Sequence, residues 1–239
     1  PQAKRLRTKP PPTMAKSYVL RCDTVTGSLK IGLNKVFYYW LLSSALSTYM
    51  SNRQNSLFST GPVALMLMIL AVALTRLIPH PPNFSPVEAM ALFGGAYFAK
   101  RSWAIVLPLI ALFISDLALS LMMGGVYFEY FVSAGFLMIY ATIALLSILG
   151  FGLRGNVTIA RVASFSVISS VIFFLVTNFG VWLGSTMYPQ TAAGLLAAYT
   201  AGLPFLQNGL LGTLFYAALL FGSFELLKQR LPALNQQIS

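Results

Sequence analysis

The stretch WAIVLPLIALFISDLALSLMM, residues 103–123, contains a single ionisable side chain, Asp116. A helix needs about 20 predominantly apolar residues to cross the hydrocarbon core of a bilayer, and this stretch has that length. Its apolar residues are continuous, whereas the strands of a membrane β-barrel alternate polar and apolar residues over about ten positions. The stretch therefore predicts a transmembrane helix in an all-α integral membrane protein.

Further apolar runs lie on both sides of this stretch. Charged residues make up 9% of the chain and hydrophobic residues 57%, against roughly 25% and 45–50% in soluble domains, which excludes a water-soluble globule. Together with 103–123, the runs predict a bundle of six transmembrane helices. They lie at 61–79, 86–99, 131–153, 161–187 and 203–227.

The positions of Lys and Arg predict the orientation of the bundle. Connections retained on the cytoplasmic side collect positive charge. Basic residues lie before the first span, after the last span and in two alternate connections, and the other three connections contain none. Both termini are therefore expected to be cytoplasmic, in a multi-pass protein of the cell membrane. The basic residues concerned are Lys100, Arg101, Arg154, Arg161, Lys228 and Arg230.

Residues 1–60 form a basic extension that holds nine Lys and Arg and one acidic residue. Beside a membrane, such a segment indicates contact with lipid headgroups and not with nucleic acid. Within it, 36–50 is short for a span and rich in aromatic residues, which favours an interfacial helix. A cleaved targeting segment, a seventh span or a non-native upstream extension are the alternatives. The predicted domains are thus 1–60, a membrane domain over 61–228 and a cytoplasmic tail over 229–239.

Polar side chains inside the spans are candidates for a substrate site, because they are expensive to bury in a membrane. With the orientation above, they gather towards the outer leaflet. Asp116, for example, lies more than ~20 Å from Arg101 at about 1.5 Å per residue. The predicted substrate-binding residues are Arg76, His80, Asn83, Glu88, Asp116, Asn178, Trp182 and Asn208.

The second predicted span, 86–99, supplies a geometric reason for a cavity. Its fourteen residues rise only about 21 Å, short of a hydrocarbon core of about 30 Å. The preceding loop should therefore dip below the outer surface, where irregular backbone is tolerated only if it packs against protein or lines a wet cavity. Residues 79–85 are expected to cover that cavity, and Gly94 and Gly95 to allow close helix packing.

Each candidate also has a purely structural interpretation. Glu88 follows Ser85 by three positions, with Pro86 between them, which is the pattern of a helix capping box. Arg76 and Asp116 could neutralise each other, because buried charges persist when paired. His80 could pack within its loop, Asn178 could hydrogen-bond across helices, and Trp182 could belong to an interfacial aromatic belt. These alternatives stay open at the level of the sequence.

The run RLIPHPPNFSPVEAMALFGGAYF, residues 76–98, resembles an uncharacterised family of predicted bacterial membrane transport proteins, with further matches at 114–116, 177–182 and 201–205. That family is in turn similar to the S components of energy-coupling-factor transporters. The resemblance implies a six-helix bundle with a substrate pocket on the outer side, covered by the loop between spans one and two. S components dock a coupling subunit and its ATPases through alanine-spaced motifs on span one, and no A-x-x-x-A occurs in 61–79.

The expected function is therefore binding or transport of a small solute, vitamin-like or ionic, that enters from the outer face. The expected partners are the bilayer, the solute and a coupling subunit with ATPases or a larger membrane complex. The alternative is a non-transporting structural subunit of such a complex. A chain with one histidine and no G-x-x-x-x-G-K-[ST] loop gives no support to a hydrolase or an ATP-binding protein. No cofactor, metal site or nucleic-acid partner is predicted.

Overall fold

The computed structural model describes residues 39–44, 46–47, 60–131, 134–184, 186–231 and 234. The chain divides into two units, Pro1–Arg53 and Gln54–Ser239. In the first unit, residues 39–44 and 46–47 are helical and fall inside the predicted interfacial segment 36–50. The rest of the basic extension and most of the predicted tail lie outside the described residues.

The described part of the second unit is entirely helix and loop. Short 3-10 turns continue the first helix over Thr75–Leu77 and the fifth over Gly150–Leu153. In chain order the α-helices are α1 (Thr60–Leu74), α2 (Val87–Tyr97), α3 (Arg101–Met123), α4 (Gly125–Phe131), α5 (Ala134–Leu149), α6 (Ile159–Gly184) and α7 (Ala192–Arg230).

Five helical segments in the described residues are long and apolar enough to cross a membrane. Continuous helix satisfies every backbone hydrogen bond internally, which a span requires because lipid offers no partner. The described residues are thus all helix and loop, with several candidate membrane-spanning helices, in agreement with the predicted all-α membrane class. These segments are Thr60–Leu77, Arg101–Met123, Gly135–Leu153, Ile159–Gly184 and Ala192–Arg230.

The predicted second span differs from the other five. In the structure it is α2, whose 11 residues rise only about 16 Å and so fall short of a bilayer core. All of its residues are buried, as expected for a helix that is apolar on every side. It packs against α1, α3, α5, α6 and α7. A six-span bundle is therefore not confirmed, and the structure has instead a short central helix enclosed by longer ones.

Small residues allow the close approach of α2 to its neighbours. A Cβ built on Gly95 would lie 2.2 Å from the Ser147 carbonyl oxygen and 2.8 Å from the Gly150 Cα. A Cβ on Gly94 would lie 2.7 Å from Cγ of Pro108. The close packing predicted for the Gly94 and Gly95 pair is therefore present in the structure.

The carboxyl end of α2 is fixed by basic side chains. Arg154 donates from Nε to the Gly95 carbonyl and from Nη2 to the Phe98 carbonyl, both at 2.8 Å. Cations near a helix C-terminus satisfy its free carbonyls and its negative dipole end. Arg101 and Arg154 also both lie over the Phe151 ring. Basic residues that the sequence places in different connections therefore meet at one end of the bundle, which we call the basic end.

Two further differences concern the second half of the chain. Helix α7 begins at Ala192 and not near residue 203, because Thr191 caps it by accepting a hydrogen bond from the Gly194 backbone N–H at 3.1 Å. Pro204 lies inside this helix and does not start it. Helix α4, seven residues long, was not predicted.

Candidate functional site

A cavity of about 570 Å³ lies at the end of the bundle opposite the basic end. Its wall is formed by the loop after α1, the first turn of α2, the second half of α3 and residues of α4, α5, α6 and α7. Among the eight predicted site residues, six line this cavity: Arg76, His80, Asn83, Glu88, Asp116 and Asn178. The lining is otherwise mostly aliphatic, aromatic and methionine side chains.

Arg76 and Asp116 form an ion pair in the cavity wall. Arg76 Nη1 lies 2.6 Å from Asp116 Oδ1, and the Asp116 side chain is 1% exposed. The same Nη1 donates to the Ser115 hydroxyl at 2.5 Å. Of the two interpretations open for this pair, mutual neutralisation is the one that this geometry favours, because buried charges are retained when they are paired and hydrogen-bonded.

Two tyrosines complete the shell around Asp116. Tyr127 on α4 donates to Asp116 Oδ1 at 3.0 Å, and Tyr140 on α5 donates to Oδ2 at 2.9 Å. Burial raises the pKa of the Tyr127 hydroxyl to about 12, and the nearby Asp116 charge adds to this shift. Tyr127 therefore stays protonated at neutral pH and acts as a donor. Neither tyrosine was predicted.

Glu88 lies in the first turn of α2, faces the cavity and is 3% exposed. Within the described part of the chain, no Lys, Arg or His nitrogen lies within the 4.0 Å limit of an ion pair with its carboxylate. Its neighbours on α7 include Gly209, on which a Cβ would lie 3.8 Å from Glu88 Oε1. Glu88 is thus a buried carboxyl without a countercharge.

The predicted capping box is not formed as expected. Helix α2 begins at Val87, with Pro86 in the cap position and no side-chain cap hydrogen bond. The Ser85 hydroxyl accepts only a long hydrogen bond, 3.4 Å, from the Val87 backbone N–H. Since Pro86 has no N–H and occupies the cap position itself, the Ser85 side chain is one residue too early to cap the first turn.

The loop over residues 78–86 covers part of the cavity and is attached to α7. Asn208 Nδ2 donates to the Pro82 carbonyl at 3.0 Å, and the Phe84 ring packs on the rings of Phe215 and Tyr216. Asn83 has φ 63°, a left-handed conformation that asparagine tolerates better than most residues. Asn208 therefore holds the loop and does not line the cavity.

The other predicted residues take local roles. The Nδ1 atom of His80 lies 2.6 Å from the Ile78 carbonyl oxygen, and the His80 side chain is exposed. Asn178 lines the cavity and donates from Nδ2 to the Phe174 carbonyl at 2.9 Å. Trp182 lies outside the cavity lining, and its Nε1 donates to the Pro189 carbonyl at 3.0 Å.

Several residues of the cavity wall were missed. Ser170 on α6 is 2% exposed and lines the cavity, and its hydroxyl has no hydrogen-bond partner among the described residues. Serine is common in membrane helices, where it usually bonds to the preceding turn, so its sequence position carries no signal. The aromatic residues of the wall could not be predicted either, because phenylalanine within a continuous apolar run does not indicate which side of the helix faces a cavity. These residues are Phe136, Phe173, Phe174 and Phe205.

We expect Gly212→Ala to loosen the covering loop. A Cβ at this position would lie 2.8 Å from the Ser85 backbone nitrogen and 3.0 Å from the Phe84 Cα, and overpacking of this kind costs about 1–3 kcal/mol. Hydrogen exchange at the Phe84 amide, which donates to the Pro81 carbonyl at 3.0 Å, should accelerate by roughly tenfold. Gly222→Ala, on the same helix with open space around its Cβ, is the control. Equal exchange in both variants would show that the loop does not depend on this contact.

Comparison with known proteins gives a family but no activity. Residues 56–234 match the sequence model of a family of unknown function, DUF6580. No curated protein and no solved structure matches the chain.

Proposed function

We propose that this chain, which belongs to the DUF6580 family of unknown function, is a membrane-embedded subunit that binds a small solute for transport. The observation that supports the proposal most directly is the cavity of about 570 Å³. Cavities of about 300–1,000 Å³, mostly apolar and with a few placed polar groups, are typical of small-molecule sites.

The position of the cavity supports entry from the outer face. Arg101 and Arg154 meet at the basic end, and the cavity lies at the other end. Because cytoplasmic ends of membrane helices collect Lys and Arg, we place the cavity towards the outside of the cell membrane. For the same reason we propose that both termini are cytoplasmic.

The short buried helix α2 also supports a transport function. A short helix buried among long ones, with its first turn at the cavity, is a recurring arrangement in transporters, where irregular backbone at depth lines a binding site. We propose that α2 and the loop before it make a sixth membrane-embedded segment, as in the S components that the sequence resembles. Release of the solute would then need a partner, a coupling subunit with ATPases or a larger membrane complex.

The alternative, a non-transporting structural subunit, requires paired polar groups and a filled cavity. The shell around Asp116 fits that requirement, since the carboxylate contacts Arg76, Tyr127 and Tyr140. The Ser170 hydroxyl does not fit it, because it is buried at the cavity without a partner among the described residues. The solute-binding function is therefore the better supported of the two.

Filling the cavity tests the proposal. Gly209 lines it, and a Cβ there meets only the Asn83 carbonyl oxygen at 3.7 Å and Glu88 Oε1 at 3.8 Å, so the rest of a leucine side chain would project into the open space. We expect Gly209→Leu to remain folded and to retain at least tenfold less of any solute that the unchanged chain retains. The measurement is quantitative mass spectrometry of small molecules released from protein purified gently in detergent.

Gly222→Leu is the matched control, because it makes the same change on the same helix at an exposed position with nothing within 4 Å of its Cβ. It should retain solute at the level of the unchanged chain. If all three proteins release the same molecules in the same amounts, the cavity is not a solute site. If the chain instead co-purifies with other membrane subunits in a fixed stoichiometry and retains no solute, the structural alternative is supported.

A further inference from the structure

We infer that the solute is an organic cation, an amine or quaternary ammonium group carried on an apolar body. The inference rests on the proposed function, because it names the chemical class that the same cavity would accept. It follows from the balance of charges in the lining, from the burial of one carboxyl and from the character of the wall.

The charges that line the cavity do not balance. Arg76 is already matched by Asp116, which lies 2.6 Å away. His80, which also lines the cavity, is an exposed side chain in the covering loop. Glu88 is the remaining ionisable acid in the lining, and within the described ranges no cation pairs with it. The lining therefore presents one buried acidic group without a cationic partner to whatever occupies the cavity.

The Glu88 carboxyl is almost completely withdrawn from water, because the residue is only 3% exposed. A carboxylate withdrawn from water costs several kcal/mol unless it gains a partner or takes up a proton. The first turn of α2 supplies part of the compensation through its free backbone N–H groups, but no full charge. A cation in the cavity would complete it, as charge-assisted hydrogen bonds to carboxylates are among the strong ones.

The wall of the cavity favours an organic cation over a metal ion. Four phenylalanine rings line it, together with the thioether side chains of Met122 and Met123. Aromatic faces attract ammonium groups, and alkylated ammonium ions have a low cost of desolvation when they are buried against them. Hard metal cations need several oxygen ligands, and here one carboxylate, Asp116, is already held by Arg76. The Ser170 hydroxyl, without a partner among the described residues, is left to hydrogen-bond a polar group of the solute.

Three probes of similar size distinguish the possibilities: 4-phenylbutyltrimethylammonium, the neutral 4-phenylbutanol and the anion 5-phenylpentanoate. Binding is measured by equilibrium dialysis at pH 7 against the full chain in phosphatidylcholine nanodiscs, with protein-free nanodiscs correcting for lipid uptake. We expect the cation to bind at least tenfold more tightly than either other probe. Glu88→Gln, which removes the charge at nearly constant volume, should weaken cation binding at least tenfold and leave 4-phenylbutanol unchanged.

Glu225→Gln is the charge-matched control. Glu225 accepts from the Tyr97 hydroxyl at 2.6 Å and lies 2.6 Å from Lys228 Nζ, at the basic end of the bundle. This variant should bind the cation within twofold of the unchanged chain. Thermal unfolding establishes that both variants are folded, and the ranking of the three probes by the unchanged chain decides the inference even if Glu88→Gln is unstable.

The outcomes separate this inference from the proposed function. Equal or tighter binding of the alcohol or the anion, or no binding of any probe, overturns the organic cation. In those cases the proposed function still stands if Gly209→Leu loses a retained solute and Gly222→Leu keeps it. The proposed function is contradicted as well only if Gly209→Leu retains as much solute as Gly222→Leu.

Discussion

Asp116→Ala is expected to lower the free energy of unfolding by about 3 kcal/mol or more, because removing one member of a buried ion pair leaves the other charge uncompensated. The Arg76 guanidinium would lose its partner at 2.6 Å, and the hydroxyls of Tyr127 and Tyr140 would lose their acceptor. Denaturant unfolding in detergent micelles, followed by tryptophan fluorescence, measures the change.

Asp116→Asn is the matched control for this variant. It keeps the volume of the side chain and an acceptor oxygen but removes the charge, so it should recover a substantial part of the lost stability. The opposing hypothesis is that Asp116 mainly contacts solute. That hypothesis predicts an alanine variant that is as stable as the unchanged chain and has lost only the retained solute. Such a result would contradict the structural role of Asp116.

Gly95→Ala is the second change with a large expected effect. The added Cβ would lie 2.2 Å from the Ser147 carbonyl oxygen and 2.8 Å from the Gly150 Cα. Both obstacles are backbone atoms of neighbouring segments, so α2 itself must shift. Overpacking usually costs about 1–3 kcal/mol, and we expect the upper end or more where no flexible side chain can yield.

Gly222→Ala provides the comparison for Gly95→Ala, because alanine there meets nothing within 4 Å and raises helix propensity. The same unfolding measurement should therefore show a loss for Gly95→Ala and no loss for Gly222→Ala. If Gly95→Ala unfolds at the same denaturant concentration as the unchanged chain, α2 and α5 do not cross as closely as described.

The sequence indicated the chemistry of the site better than the shape around it. Polar residues are so costly in a membrane that their positions along the spans were informative, and Arg76, Glu88 and Asp116 all line one cavity. Hydropathy, by contrast, cannot distinguish a helix buried in protein from one that faces lipid. The sequence therefore predicts a short span at 86–99, whereas α2 is covered on every side.

Other features depended on tertiary contacts that no local pattern encodes. Tyr127 lies in the connection before the predicted span 131–153, and Tyr140 lies inside that span. Their hydrogen bonds to Asp116 exist only because α4 and α5 fold back on α3. The early start of α7 was hidden because 192–202 is rich in small residues and Pro204 suggests a helix beginning. Proline inside a helix is tolerated where neighbouring segments support the backbone.

The enclosure of α2 has a consequence for how the protein is made. Its ring contacts, Phe93 with Phe221 and with Phe224, join it to α7, which is synthesised well after it. A segment of 11 residues is too short to be held in lipid on its own. During synthesis α2 is therefore expected to pack against α1, α3, α5 and α6 and to remain incompletely enclosed until α7 is made. A chain truncated before α7 should accordingly expose part of α2 and be prone to misfold.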